Sequence, residues 1–199
     1  MSDAYSRSRL LMSPGDTALL IVDAQEKLLS VIPHRDRLIW NLTRLLTGAQ
    51  ILQVPCLATE QYPEKLGATV GELQQFVEPL AGKLTFSCCG QAEFIEQLKS
   101  IEAQKVVVAG IEAHVCVMQT SLDLLSEGYE VYVPVDAVGS RYEVDCVTAQ
   151  RRMESSGATL VTTEMALFEW CREAGTAPFK QISQLVRQSP PADSSSSAK

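Results

Sequence analysis

Short apolar runs alternate with amphipathic stretches from residue 17 to about residue 188. Thr17–Val22 is apolar and stops at Asp23. Residues 35–53 then carry Leu38, Ile39, Leu42, Leu45, Leu46, Ala49 and Leu52 at helical spacing. The pattern predicts a short strand at 55–59, a partly helical segment at 70–80 and a short strand at 84–87. An amphipathic helix follows over 93–101, with Phe94, Ile95, Leu98 and Ile101 on one face. A strand at 105–109 leads to a helix at 114–126, a strand at 129–135, a helix at 143–156 and a strand at 159–163. Two further helices are expected at 164–173 and 179–187.

Alternating strand and helix units of this length imply a mainly parallel sheet with helices on both faces. Strands covered on both sides read as unbroken apolar runs, and LLIV, VVVA and VYVPV do. The expected architecture is a three-layer α/β/α sandwich with a Rossmann-like sheet. Residues 1–12 are read as an N-terminal extension and 13–188 as the folded domain. Residues 189–199, SPPADSSSSAK, are read as a disordered polar tail.

With 199 residues the chain fits one domain with a proper core. A formal charge of −7 argues against nucleic acid as a partner, because phosphate binding needs clustered Lys and Arg. No apolar run approaches the length of a membrane span. The six cysteines show no disulfide rhythm and no CxxC pair, so a reducing, cytoplasmic compartment is expected. Arg7, Arg9 and three serines give a mitochondrial presequence a weaker case, against which Asp3 and the short length count. No GxGxxG or GxxxxGK[ST] motif indicates a nucleotide site, and no cofactor is expected.

In open α/β sheets the ligand lies beyond the carboxyl ends of the strands. Asp23 follows the LLIV run, Lys83 precedes LTFS, and Cys116 stands near the start of the helix after VVVAGIE. The unpaired N–H groups and positive dipole of that helix are expected to stabilise a Cys116 thiolate. Asp23 could take the thiol proton, and Lys83 could hold the thiolate and orient the carboxylate. Backbone N–H groups at Cys116 and in the 111–113 turn could bind an oxyanion. Singly, each residue has a plainer reading: a turn-forming Asp, a solvated Lys, a packed core thiol. Only their joint arrangement points to chemistry. His114 lies two positions before Cys116 as an alternative base, but neighbours in a turn rarely face each other correctly.

Several stretches together carry a family resemblance. They are IVDAQEKL (21–28), TEQYPEKLGATVGEL (59–73), GKLTFSC (82–88) and GIEAHVCVMQTSLDLLSEGYEVYVPVDAVGSR (110–141). Over residues 12–188 the chain resembles the isochorismatase-like cysteine hydrolases. The resemblance implies a six-stranded parallel sheet and a triad of Asp23, Lys83 and Cys116. It also implies a non-proline cis peptide at Ile111–Glu112, with the Glu112 and Cys116 N–H groups forming an oxyanion hole. Gln25, Gln61, Tyr62 and Phe86 fall where the family shapes its pocket. Gln25 could equally satisfy backbone groups, and the other three could equally be loop and core residues.

The departures from the family matter as much. Its metal-binding members carry an Asp and two His after the second strand. Here the stretch reads ATEQYPEKLG, so Glu60 and Tyr62 stand there and no second His follows. One carboxylate and a phenol do not make a divalent site, so no metal is expected. The resemblance therefore implies a metal-independent, amidase-like hydrolase acting on a small molecule through a Cys116 thioester, in a homo-oligomer (dimer or tetramer). Competing readings are a non-catalytic interaction protein that keeps the fold and, less favoured, a ribonuclease.

Overall fold

The computed structural model describes residues 5–80 and 82–192. Ser2, Asp3 and the tail from 193 onward, on which parts of the reading above fall, lie outside the described residues. Six strands form one sheet: β1 (Thr17–Val22), β2 (Cys56–Thr59), β3 (Lys105–Ile111), β4 (Glu130–Pro134), β5 (Val138–Gly139) and β6 (Thr159–Val161). The order is β2-β1-β3-β4-β6, with β5 alongside the end of β3. Every pairing is parallel. The helices are α1 (Glu26–Leu29), α2 (Arg35–Leu52), α3 (Pro63–Leu66), α4 (Gly71–Gln74), α5 (Ala92–Ser100), α6 (Met118–Ser126), α7 (Glu143–Ser155), α8 (Thr163–Cys171) and α9 (Ala177–Val186).

Alternation along the strands divides the core into two layers, because successive side chains point to opposite faces. Leu19 and Ile21 of β1 pack with Val107 and Ala109 of β3 beneath Leu42, Leu45, Trp170 and Ile182 from α2, α8 and α9. Ala18, Leu20 and Val22 pack with Val106 and Val108 beneath Phe94, Leu98, Leu124 and Met153 from α5, α6 and α7. The three-layer α/β arrangement read from the sequence is the observed one.

Two elements differ from the expected pattern. Residues 84–87 form a bent loop rather than a strand, and Leu84 and Phe86 face solvent. The loop lies beside the edge strand β2, and among the described residues its one ladder-like tie to the chain leaving β2 is a parallel bridge, Gln61 to Lys83. The sixth strand is instead the two-residue β5, too short to register as an apolar run. The apolar run expected to break at Gly110 continues to Ile111, with Gly110 opposite Val138 and Ile111 opposite Gly139. The amino-terminal segment also packs: Arg7 donates to the carbonyls of Met12 and Glu169 at 2.7 Å each, and Met12 is fully buried.

The order of the strands makes the carboxyl ends of β1 and β3 the switch point, since the chain leaves β1 toward β2 on one side and reaches β3 on the other. Gly110 holds these two strand ends together. Its φ is +117°, and a Cβ there would collide with the backbone of Val22, its partner in the ladder. Gly110→Ala is expected to destabilise the fold by about 3 kcal/mol or more, through both the backbone conformation and the clash. Chemical denaturation of the two proteins measures it, and an unchanged midpoint would contradict this packing.

Candidate active site

Asp23, Lys83 and Cys116 come together at the switch point. Asp23 is the first residue after β1 and is fully buried, with φ +48°. Asp is one of the few residues to adopt this conformation readily. Lys83 is drawn to it from the 82–87 loop and is 2% exposed. Its Nζ donates to Asp23 Oδ2 at 2.7 Å, to Gln61 Oε1 at 2.7 Å and to the carbonyl of Phe86 at 3.0 Å. The carbonyl of Thr85 lies at 3.3 Å. The three N–H bonds of the ammonium are thus all engaged. Cys116 lies in a π-helical turn, Ala113–Val117, entered from β3 through the cis Ile111–Glu112 peptide. Its S–H is directed to Gln61 Oε1, with the sulfur at 3.9 Å, and the nearby Asp23 charge acts on the thiol.

These contacts correct the expectation of a resting thiolate. Burial, then the charge of Asp23, pushes the Cys116 thiol well above the ordinary cysteine range, and Lys83 only partly opposes them. Nor does the sulfur sit on the first turn of an α-helix, because α6 begins at Met118, beyond the π-helical turn. Cys116 is therefore a protonated thiol beside a carboxylate that can accept its proton. Burial alone would lower the Lys83 pKa, but Asp23, with smaller contributions from Cys88 and Cys116, outweighs it and raises it. Lys83 thus keeps its charge.

The expected pocket residues take different roles. Gln25 does not face a ligand: its Nε2 donates to the carbonyls of Gln61 and Gly67, at 3.0 Å and 2.6 Å. Its Oε1 accepts the Gln61 N–H at 2.7 Å. It acts as a backbone clamp that sets the position of Gln61. Gln61 in turn joins Lys83 to Cys116 through one oxygen, while its Nε2 donates to the Leu84 carbonyl at 2.9 Å. Tyr62 lines a cavity of about 460 Å³ with Pro63, Glu64, Gly82, Lys83 and Leu84. The Phe86 ring is exposed, and the residue reaches Lys83 through its carbonyl instead. The Glu112 carboxylate accepts from the Arg141 N–H at 3.0 Å and from its Nε at 3.1 Å, so its side chain is occupied at the rim. His114 turns to Ser140, at 2.9 Å, and toward Asp145.

Sequence reasoning missed Thr59 and Cys88. The Thr59 hydroxyl donates to Asp23 Oδ1 at 2.8 Å, and Cys88 Sγ lies 3.4 Å from the same hydroxyl. The available signal for Thr59 was positional, since it ends the CLAT run as Asp23 follows LLIV. At the position of the family's metal-binding Asp, Glu60 Oε1 is taken up by the N–H and hydroxyl of Thr69, at 2.6 and 2.8 Å. Among the described residues no group of three His, Cys, Asp or Glu side chains is placed to hold an ion, nor is any helix long and apolar enough to cross a membrane.

A parallel α/β sheet with a carboxylate, an ammonium and a thiol buried together at its switch point defines an α/β protein with a candidate active site at the carboxyl ends of its strands. The chain belongs to the isochorismatase family: the family model described as Isochorismatase domain matches residues 17–165. Isochorismatase domain-containing protein 2 of Homo sapiens is 38% identical over 180 residues, covering 89% of this chain and 86% of that protein. The solved MAR1 ribonuclease of Caenorhabditis elegans superposes with a TM-score of 0.86 at 37% identity, covering 95% of this chain and 98% of that one. YcaC of Pseudomonas aeruginosa, described with hexane-2,5-diol and covalent acrylamide, superposes at 0.81 with 25% identity, covering 90% and 93%.

The opposing effects of Asp23 and Lys83 on the thiol make a sharp prediction. In Asp23→Asn the charge that raises the Cys116 pKa is gone, while the buried ammonium has lost its counter-charge and favours a thiolate. Labelling of Cys116 by iodoacetamide at pH 8 is then expected to be at least roughly ten-fold faster than in the wild type, with its pH curve moved downward. Lys83→Met moves the curve upward. Peptide mapping of a labelling time course measures both, and an Asp23→Asn curve at or above the wild-type pH would contradict the arrangement.

Proposed function

We propose that the chain is a metal-independent cysteine hydrolase that cleaves an amide or carbamoyl C–N bond, or an ester bond, of a small molecule. Asp23 takes the proton of Cys116 as the sulfur attacks the carbonyl carbon. The N–H groups of Glu112 and Cys116 receive the oxyanion. Asp23 returns the proton to the leaving amine, ammonia or alcohol, and a thioester remains on Cys116. Water, deprotonated by Asp23, then releases the acid and restores the thiol. Lys83 keeps the Asp23 carboxyl oriented throughout. The observation that carries the reading is that Lys83 Nζ ties Asp23 Oδ2 to Gln61 Oε1, at 2.7 Å each, and the Cys116 sulfur lies 3.9 Å from that same Gln61 oxygen. The covalent acrylamide described for the YcaC relative, an electrophile that thiols capture at its C=C bond, supports the nucleophile in this reading and not the bond cleaved.

The reading extends to self-association as a dimer or tetramer and to a reducing, cytoplasmic compartment. Tyr142 and Val144 at the start of α7, and Met165 and Phe168 on α8, are apolar and exposed. The YcaC product of Escherichia coli is described as octameric.

A second reading is RNA cleavage, because the C. elegans relative is described as a ribonuclease. The expectation that nucleic acid is no partner, drawn from the acidic balance, therefore goes into the same experiment. Wild type and Cys116→Ala are assayed side by side for ammonia release from primary amides and carbamoyl compounds, and for cleavage of RNA. Ammonia release is expected in the wild type, reduced roughly a thousand-fold or more in Cys116→Ala, with a Cys116-linked acyl mass on intact protein. Amide turnover that survives in folded Cys116→Ala would overturn the thioester route. RNA cleavage that disappears with Cys116 would move the substrate class to RNA.

A further inference from the structure

We propose that Thr59 is a positioning residue that fixes the Asp23 carboxylate for proton exchange with Cys116. The inference rests on Asp23 as the proton acceptor, the role proposed above, and concerns how that role is enforced.

Thr59 holds Asp23 twice. Its carbonyl accepts the Asp23 N–H at 3.1 Å, and its hydroxyl donates to Asp23 Oδ1 at 2.8 Å. Thr59 can do both because it stands opposite Val22 in the β1–β2 register, one residue short of Asp23. The backbone tie helps to hold Asp23 at its φ of +48°. The hydroxyl tie, set against the Lys83 contact on Oδ2, fixes the plane of the carboxylate. With one oxygen turned to each donor, the group has no freedom to swing away from the sulfur.

The direction of the hydroxyl proton follows from counting donors. Thr59 has a single O–H, and an ionised carboxylate accepts only. That proton therefore points to Asp23, and the contact at 3.4 Å from Cys88 must run from the Cys88 S–H to the Thr59 oxygen. Cys88 suits this role. It is fully buried, and burial followed by the charge of Asp23 pushes its thiol up to about 11, so it stays protonated. Its N–H donates to Thr120 Oγ1 at 2.9 Å and so is not turned to the site. Thr59 is 1% exposed, so water cannot replace the hydroxyl once it is lost. The hydroxyl of Thr59 donates to Oδ1, the oxygen that Lys83 leaves open.

Thr59→Val keeps the shape of the side chain and removes only the hydroxyl, whereas Thr59→Ser keeps the hydroxyl and removes a methyl. The test reads the sulfur itself and needs no known substrate. A carboxylate stripped of one hydrogen bond accepts the thiol proton more readily. Iodoacetamide labelling of Cys116 between pH 6 and pH 8 is therefore expected to rise roughly ten-fold in Thr59→Val and to match the wild type in Thr59→Ser. Circular dichroism and thermal melting confirm that each protein is folded. Once an amide substrate is in hand, Thr59→Val is expected to lose kcat with KM retained, because an unpinned carboxylate returns the proton poorly. A Thr59→Val curve that coincides with the wild type or lies below it would overturn the proposal, as would a Thr59→Ser curve displaced as far as that of Thr59→Val. Should Cys116→Ala retain amide turnover, the thioester reading fails, while the labelling curves still decide the part played by Thr59.

Discussion

One buried ion pair, Lys83 with Asp23, organises this molecule. Neither charge reaches solvent in any quantity, and removing two charges from water costs several kcal/mol for each ion. Such a pair survives only where every hydrogen-bonding position is filled. Lys83 finds Asp23, Gln61 and the carbonyl of Phe86, and Asp23 finds Lys83 and Thr59. The 82–87 loop owes its path to these demands. The Lys83 N–H reaches the Glu60 carbonyl at 2.9 Å, and the Tyr62 N–H reaches the Lys83 carbonyl at the same distance, so the loop is stitched to the chain leaving β2. What sequence pattern reads as a strand is the backbone needed to bring one ammonium to one carboxylate.

The pair also sets the state of the sulfur. A carboxylate next to a thiol opposes its ionisation, and a lysine favours it. Here burial and Asp23 prevail, and Cys116 rests as a thiol. This is a workable resting state for a proton-transfer mechanism. In the route proposed above, the sulfur becomes strongly nucleophilic only as its proton moves to Asp23, so activation is coupled to attack. A standing thiolate would be open to alkylation and oxidation by any small electrophile. Lys83 keeps the exchange within reach by favouring both anionic partners at once.

The fold was legible because its physics is local. Thr17–Val22 matches its predicted span, and the two-faced burial of LLIV and VVVA follows from their lack of polar alternation. That Asp23, Lys83 and Cys116 come together was legible through strand ends and family resemblance. Their protonation was not, because it depends on burial and on distances between residues far apart in the chain. The π-helical turn around Cys116 was hidden for a related reason: its register comes from the Val117 N–H reaching back to the Glu112 carbonyl, which no apolar period reports. Gln25 looked like a pocket residue because amides near strand ends can face either way, and only the Gln61 backbone decides it. Thr59 and Cys88 escaped notice because each resembles an ordinary core residue until the direction of one hydroxyl proton is traced.

The depth of the site bears on what can react there. Cys116 is 5% exposed, Lys83 is 2% exposed and Asp23 is fully buried, so the reacting atoms lie beneath the surface. Under the proposed hydrolysis, a carbonyl at the end of a slender group, as in a primary amide, a carbamoyl compound or a small ester, suits such a site. A carbonyl flanked on both sides by bulk would have to displace the 82–87 loop, and with it the Phe86 carbonyl that Lys83 needs. That displacement would leave the ammonium short of an acceptor in a site closed to water, a cost of the order of a lost charged hydrogen bond, about 1.5–3 kcal/mol. The same constraint weighs on a polymer substrate, whose scissile group is never terminal and whose phosphates meet a chain of net charge −7. On the proposed reading, the loop that carries Lys83 thus favours slender substrates, because moving it takes the Phe86 carbonyl from the ammonium that is paired with Asp23.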